Sequence, residues 1–262
     1  MSIQRQLFVF DFDWSLADQD TDRYTFEVLA PDLRRHMKTA KLDTQWTDLV
    51  AQSLQKIHAR GITREQIEHT LVNLPFHPGM IRGVSKIKAE GKTTFLCLSN
   101  ANSVFIKTIL KAKGLENLFD EIITNPAEWD DSGLLKLRRR VDPNGPQHTC
   151  KVGCSPNMCK GPLSSLFPCK INTHSPSPFP GEELEAYLAK HGPFDRVVYT
   201  GDGSNDFCPI LRLRPQDVVA CRSYRGLQTR INEEGEKEGL KAEIRYWAGA
   251  WEAEEIYGTL SI

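Results

Sequence analysis

The sequence predicts an α/β protein built on a doubly wound parallel sheet, with a small helical unit inserted after the first strand. Three observations carry the prediction. Short apolar runs alternate with stretches of helical periodicity along most of the chain, the pattern of strand–helix–strand units. Several of the runs end abruptly on polar clusters, where an open α/β sheet keeps its functional crevice. The stretch behind the first run, by contrast, is spaced like helices alone. With 262 residues and 40% hydrophobic side chains, the chain can bury a substantial core.

The first strand is Leu7-Phe8-Val9-Phe10, and it stops on Asp11 and Asp13 with Ser15 just beyond. Two acids one residue apart at a strand end reach the same crevice. One can attack a substrate or hold a cation while the other moves a proton. An acidic loop after a strand reads the same way, so the pair by itself decides nothing. From about Tyr24 to Leu74 the apolar spacing is helical, as in Trp46, Leu49, Val50, Leu54 and Ile57. Pro31 and Gly61 mark breaks, and Thr63-x-x-Gln66 forms a capping box. The expected division is a core of residues 1–18 and 79–262 with a helical unit at 19–78.

A helix from Met80 to Glu90 leads through Gly91 into a strand, Thr94 to Leu98, expected to stop at Ser99-Asn100-Ala101-Asn102 before a helix ending at Lys113. Ile122-Ile123 marks another strand, Leu134 to Val141 belongs to a hairpin, and 142–159 is irregular. Later strands are expected at Arg196–Thr200, Val218–Cys221 and Ile244–Trp247, with helices at Glu182–Lys190, Leu227–Glu238 and Ala250–Tyr257. The strand at Arg196 runs into Gly201-Asp202-Gly203-Ser204-Asn205-Asp206, whose glycines suit a sharp turn around a cation.

Composition removes several function classes. Thirty-three basic against 34 acidic side chains leave a net charge of -1, which gives no electrostatic case for nucleic acid or an anionic membrane. No apolar run reaches membrane-spanning length. The opening MSIQRQLFVF lacks the zones of a signal peptide, and seven cysteines without one point to reduced thiols and the cytoplasm. The oligomeric state has no signature in the sequence.

Four polar stations are far apart in sequence: Asp11/Asp13, Ser99, Lys160 and Asp202/Asp206. Three follow strands and the lysine precedes a helix, so a doubly wound sheet can gather them in one crevice. Together they offer a nucleophile, an acid/base, a phosphate-binding hydroxyl, a fixed positive charge and carboxylates for a metal. That set suits phosphoryl transfer, where catalysis rests on positioning and on neutralising phosphate charge.

DFDWS, the LSNAN tip, Lys160-Gly161 and GDGSND resemble the four motifs of the haloacid dehalogenase-like hydrolases. PNMCKG at 156–161 and GDGSNDFCP at 201–209 are similar to the signatures of its phosphoethanolamine/phosphocholine phosphatase-type family. The resemblance spans nearly the whole chain and implies a Rossmann-like core with a helical cap after the first motif. It implies that Asp11 forms an aspartyl-phosphate and that Asp13 protonates the leaving oxygen and then activates water. Ser99, Asn100 and Lys160 would hold the phosphoryl group. Mg²⁺ would sit on Asp11, the Asp13 carbonyl and Asp202, with Asp206 behind, since hard oxygen ligands beside a phosphate favour that ion.

The pattern departs from the resembled family in three places. Trp14 is bulky where backbone should approach phosphate, and either packs against the cap or stacks on substrate. Asn100 replaces an acid that amine-selective members carry beside one matching Asp22. Asp22, Asn100 and Trp14 are therefore the expected specificity residues. Residues 162–181, with five prolines, four serines and no acid, have the composition of a disordered insertion, and their removal joins Lys160-Gly161 to Glu182-Glu183-Leu184. His148, Cys150, Cys154 and Cys159 offer zinc-type ligands, but C-x3-C-x4-C matches no standard knuckle and the second pair of a finger is missing, so reduced thiols packed at the site rim are the favoured reading. His69 and His77 read as ordinary helix or turn residues.

The expected function is Mg²⁺-dependent hydrolysis of a small-metabolite phosphomonoester. The alternatives are an inorganic pyrophosphatase or phosphoanhydride hydrolase and, in another class, a phosphate-ligand binding protein impaired by the insertion.

Overall fold

The computed structural model describes residues 3–161 and 182–262; the expected insertion at 162–181 lies outside them. Strand β1 (Gln6–Phe10) is followed by helices α1 (Thr21–Leu29), α2 (Pro31–Ala40), α3 (Trp46–Ala59) and α4 (Arg64–Val72). Helix α5 (Pro78–Ala89), β2 (Thr93–Asn102) and α6 (Ser103–Ala112) come next, then β3 (Glu121–Asn125), β4 (Ala127–Trp129) and β5 (Leu135–Leu137). The chain closes with α7 (Glu183–His191), β6 (Arg196–Gly201), α8 (Phe207–Ile210), β7 (Val218–Arg222), α9 (Gly226–Glu234), β8 (Glu243–Trp247) and α10 (Ala250–Gly258).

Six strands form one parallel sheet in the order β3-β2-β1-β6-β7-β8, and β4-β5 form a small antiparallel hairpin. Strand β1 pairs with β2 on one side and β6 on the other. The chain winds outward from β1 in both directions, so the crevice between β1 and β6 is the topological switch point. Side-chain alternation explains why β1 takes the centre. Phe8 and Phe10 face one layer with Phe95 and Tyr257, while Leu7 and Val9 face the other with Leu96, Val197 and Tyr199. All are fully or nearly fully buried, as a strand covered by helices on both faces requires.

The local grammar is visible in the caps. Thr63 and Gln66 make the expected capping box, and Asp20 accepts from the Arg23 amide at the start of α1. Strand β2 differs from expectation, because it runs on through Asn102 instead of stopping at Leu98. The register with β3 shifts between Leu98 and Asn102. The Asn125 amide donates to the carbonyls of Asn100 (2.7 Å) and Ala101 (3.0 Å), which holds the bulged segment extended.

Candidate active site

Strands β1, β2 and β6 deliver their polar stations to the same edge. Asp11 leaves β1 with its amide donating to Thr200 O (2.9 Å), so the sheet ladder itself aims the carboxylate. Asp11 Oδ1 accepts from the Phe12 amide at 2.7 Å and pairs with Lys160 Nζ at 2.9 Å. Lys160 Nζ also donates to Asp206 Oδ1 at 2.8 Å. This ammonium is 1% exposed. Burial alone would lower its pKa, but Asp11 and Asp206 together raise it above the ordinary lysine value, so it stays charged.

Asp206 is the most enclosed member. Its Oδ1 also accepts from Tyr199 Oη (2.8 Å), and its Oδ2 accepts from the amides of Asp202 and Gly203, both 3.0 Å. That wiring explains Gly201 better than a sharp turn does: a Cβ there would lie 2.7 Å from Asp206 Cγ. Neither Gly201 nor Gly203 takes a left-handed conformation. Oxygens of Asp11, Asp202 and Asp206 lie within 4.8 Å of one another. The crowding shows in their protonation: burial, then Asp206, raises Asp11 to about 6, and burial, then Asp11 and Asp206, raises Asp202 to about 8. Three buried carboxylates with one lysine leave an excess of negative charge, so the donor set fits a hard divalent cation.

Asp13 sits at the crevice wall, accepting from the Thr21 amide at 3.1 Å. Burial, then Asp20, Asp22 and Asp11, pushes its pKa well above the carboxylate range. Ser99 is buried, and its Oγ accepts from the Ala101 amide at 3.2 Å. Asn100 Oδ1 accepts from Asn205 Nδ2 at 3.0 Å, joining the β2 station to the β6 station.

These groups border a cavity of ≈ 460 Å³ lined by Asp11, Asp13, Ser99, Asn100 and Asp202 and also by Trp14, Asp22 and Trp46. Trp14 adopts φ 59°, a conformation that costs a non-glycine residue on the order of 1–3 kcal/mol. Arg222 holds its carbonyl at 2.7 Å, and the Arg225 guanidinium stacks 3.7 Å from its ring centroid. The ring thus packs on arginine, a partner the sequence did not suggest. Asp22 Oδ2 accepts from Trp46 Nε1 at 2.9 Å, while its Oδ1 is buried without a hydrogen bond. Burial, then Asp20, raises Asp22 to about 7.

Of the sequence-nominated site residues, Asp11, Asp13, Trp14, Asp22, Ser99, Asn100 and Asp202 therefore line one cavity, while Lys160 and Asp206 are buried beside it and reach it through their pairing with Asp11 and with the Asp202 amide. Sequence reasoning missed Arg23 and Arg225, which also line it, read Trp46 only by its helical spacing, and gave no partner to Ser15, whose Oγ donates to Asp202 Oδ1 at 3.5 Å. Arg225 stands just past the carboxyl end of β7, so the strand-end rule applied to one more strand would have found it. Among the cysteines, Cys208 joins Cys150, Cys154 and Cys159, whereas His148 Nε2 contacts Ser155 O and stands outside the group.

A parallel sheet with a buried lysine bridging carboxylates from two strand ends at its switch point is the framework of a haloacid dehalogenase-like phosphatase. Residues 6–176 and 181–260 match the family described as "Putative Phosphatase", and the chain belongs to that family. It is 30% identical to inorganic pyrophosphatase 2 of Arabidopsis thaliana, over 95% of this chain and 81% of that one. It is 29% identical to pyridoxal phosphate phosphatase PHOSPHO2 of Rattus norvegicus, over 94% of each. A phosphoserine phosphatase structure from T. onnurineus shares the fold, with a TM-score of 0.52 and 13% identity over 98% of this chain and 97% of that one. Among the described residues no helix is long and apolar enough to cross a membrane.

Proposed function

We propose that the protein hydrolyses a small-metabolite phosphomonoester with Mg²⁺ through an aspartyl-phosphate on Asp11. The observation that carries this reading is Lys160, buried and paired at once with Asp11 and Asp206. A fixed cation there neutralises an incoming phosphoryl group and keeps the Asp11 carboxylate oriented. Asp11 attacks phosphorus, and the bond to the leaving oxygen breaks as Asp13 supplies its proton. The raised pKa of Asp13 suits it to carry that proton near neutrality. Asp13 then takes a proton from water, which releases phosphate and restores Asp11. Ser99, Asn100 and Lys160 hold the phosphoryl oxygens. Asp11, the Asp13 carbonyl, Asp202 and Asp206 would hold Mg²⁺, which supplies charge neutralisation when bound.

Helices α1 to α4, residues 19–78, act as the cap over the 1–18 and 79–262 core, and Asp22 and Trp14 with Asn100 select the leaving group. An amide at position 100, an Asp22 whose pKa burial raises to about 7, and the cations Arg225 and Arg23, the latter paired with Asp20, together disfavour a cationic amine. They favour a neutral or anionic leaving group. Phosphocholine and phosphoethanolamine are therefore not the best substrates. The same two arginines on the cavity wall favour a second reading, hydrolysis of pyrophosphate, which is also the activity in the name of the Arabidopsis relative. Six free cysteines among the described residues suit the cytoplasm.

The test is phosphate release with and without Mg²⁺ across pyridoxal phosphate, thiamine phosphate, glycerol phosphate, phosphoethanolamine and pyrophosphate. Asp11→Asn protein serves as the blank. Turnover that persists in chelator would remove the Mg²⁺ assignment. Phosphate binding without any turnover would favour the impaired binding protein.

A further inference from the structure

Four cysteines cluster beside the phosphate site. Cys150, Cys154, Cys159 and Cys208 place all four Sγ atoms within 4.8 Å of one another. The separations Cys150–Cys208, Cys154–Cys159 and Cys159–Cys208 are 3.2, 3.6 and 3.7 Å. A tetrahedral zinc with Zn–S bonds of about 2.3 Å requires neighbouring sulfurs about 3.8 Å apart. Two disulfides would instead sort the four into pairs near 2.05 Å, and all four thiols are free. We propose that Cys150, Cys154, Cys159 and Cys208 bind a structural Zn²⁺, distinct from the catalytic cation and independent of the phosphatase reading. Binding exchanges four thiol protons, released to solvent, for four Zn–S bonds.

The surroundings are built to hold such a centre. Three ligands lie in or beside the irregular segment 142–159, which has no helix or strand to fix it. Its backbone is tied down by side chains instead. Arg230 donates to Val152 O at 2.9 Å, and Glu182 Oε1 accepts from the Thr149 amide at 3.4 Å and from Thr149 Oγ1 at 2.6 Å. The Arg230 guanidinium also places positive charge beside a centre of net charge −2. At Gly161 a Cβ would fall 2.6 Å from the Cys208 carbonyl carbon and closer still to its Sγ, so only glycine lets the two strands of chain meet there.

The centre links two parts of the phosphate site. Cys159 immediately precedes Lys160, and Cys208 follows Asp206 by two residues, so the Lys160–Asp206 pair is held between two ligands of one ion. Cys154 also lines the catalytic cavity. The metal would therefore set the position of the buried ammonium, which the irregular segment alone cannot do.

The full-length protein, purified under reductant with zinc supplied, should carry about one zinc per chain that excess Mg²⁺ does not displace. A thiol-specific mercurial should release it, read with a zinc dye. Replacement by Co²⁺ should give the intense thiolate-to-cobalt charge-transfer band and tetrahedral visible bands of four-sulfur coordination. Cys150→Ser with Cys154→Ser should lose the zinc and melt at lower temperature. Substoichiometric zinc in the parent protein would overturn the proposal, as would cobalt bound without the thiolate band or a double variant that retains zinc. Because the cobalt spectrum and mercurial release use the parent protein, a variant that fails to fold does not remove the test.

Discussion

The three crowded carboxylates make a prediction about stability that separates the cation from the fold. Asp202 is 8% exposed and raised from 3.8 to about 8 by burial, Asp11 and Asp206. A raised folded-state pKa means that the folded protein keeps a proton which the unfolded chain has already lost. Its contribution to stability is present below the unfolded value and disappears as pH rises through the folded one. Without divalent cation, the wild-type protein should lose stability between pH 4 and 8 by up to about 1.4 kcal/mol per pH unit from this group. Charge sharing with Asp11 reduces the part that residue 202 alone controls. Asp202→Asn keeps an acceptor for Ser15 and does not titrate. In chelator, the variant should therefore gain on wild type by about 1–3 kcal/mol between pH 6 and 8, or roughly 3–10 °C in Tm. In saturating Mg²⁺ the order should reverse, because the ion binds only the intact set. Thermal unfolding of both proteins at pH 6, 7 and 8, with chelator and with Mg²⁺, measures this. A Tm difference in chelator that does not grow with pH would show that Asp202 is not a strained, protonated carboxylate.

Asp11→Asn should abolish turnover while leaving the melting profile folded, whereas Asp13→Asn should lower kcat by roughly 10²–10⁴-fold yet still bind inorganic phosphate by calorimetry. Asn100→Asp should raise kcat/KM for phosphoethanolamine relative to glycerol phosphate by about tenfold, the 1.4 kcal/mol of a modest charge interaction; an unchanged ratio in competitive hydrolysis would mean that residue 100 does not face the leaving group. Deleting residues 162–181 should retain the fold and at least keep activity. Glu183 N already donates to Cys159 O at 3.2 Å, and in the shortened chain those residues would stand four apart, the spacing of a helical turn. An insoluble or less active deletion protein would make the segment integral to the enzyme.

What the sequence determined by itself is local. The alternation in Leu7–Phe10 marks a strand buried on both faces, Thr63 and Gln66 open a helix, and the acids and glycines at 11–13 and 201–206 mark loops at strand ends. These signals arise from side-chain period and backbone capping, which neighbouring residues settle among themselves. The family signatures extended that reading to the phosphate site. Where β2 ends was not legible, because the Asn125 side chain that props up its last residues belongs to the next strand. The partners of the nominated residues were hidden for the same reason. Arg225 on Trp14, Trp46 on Asp22, Asn205 on Asn100 and Cys208 among the other cysteines are contacts between segments distant in sequence. The strand order, with β1 between β2 and β6, brings the loops of the sheet to one edge, whereas Trp46 and Asp22 meet through the packing of the inserted helices. Burial there then raised the carboxylate pKa values, because desolvation and mutual repulsion depend on three-dimensional distance, which sequence spacing does not encode.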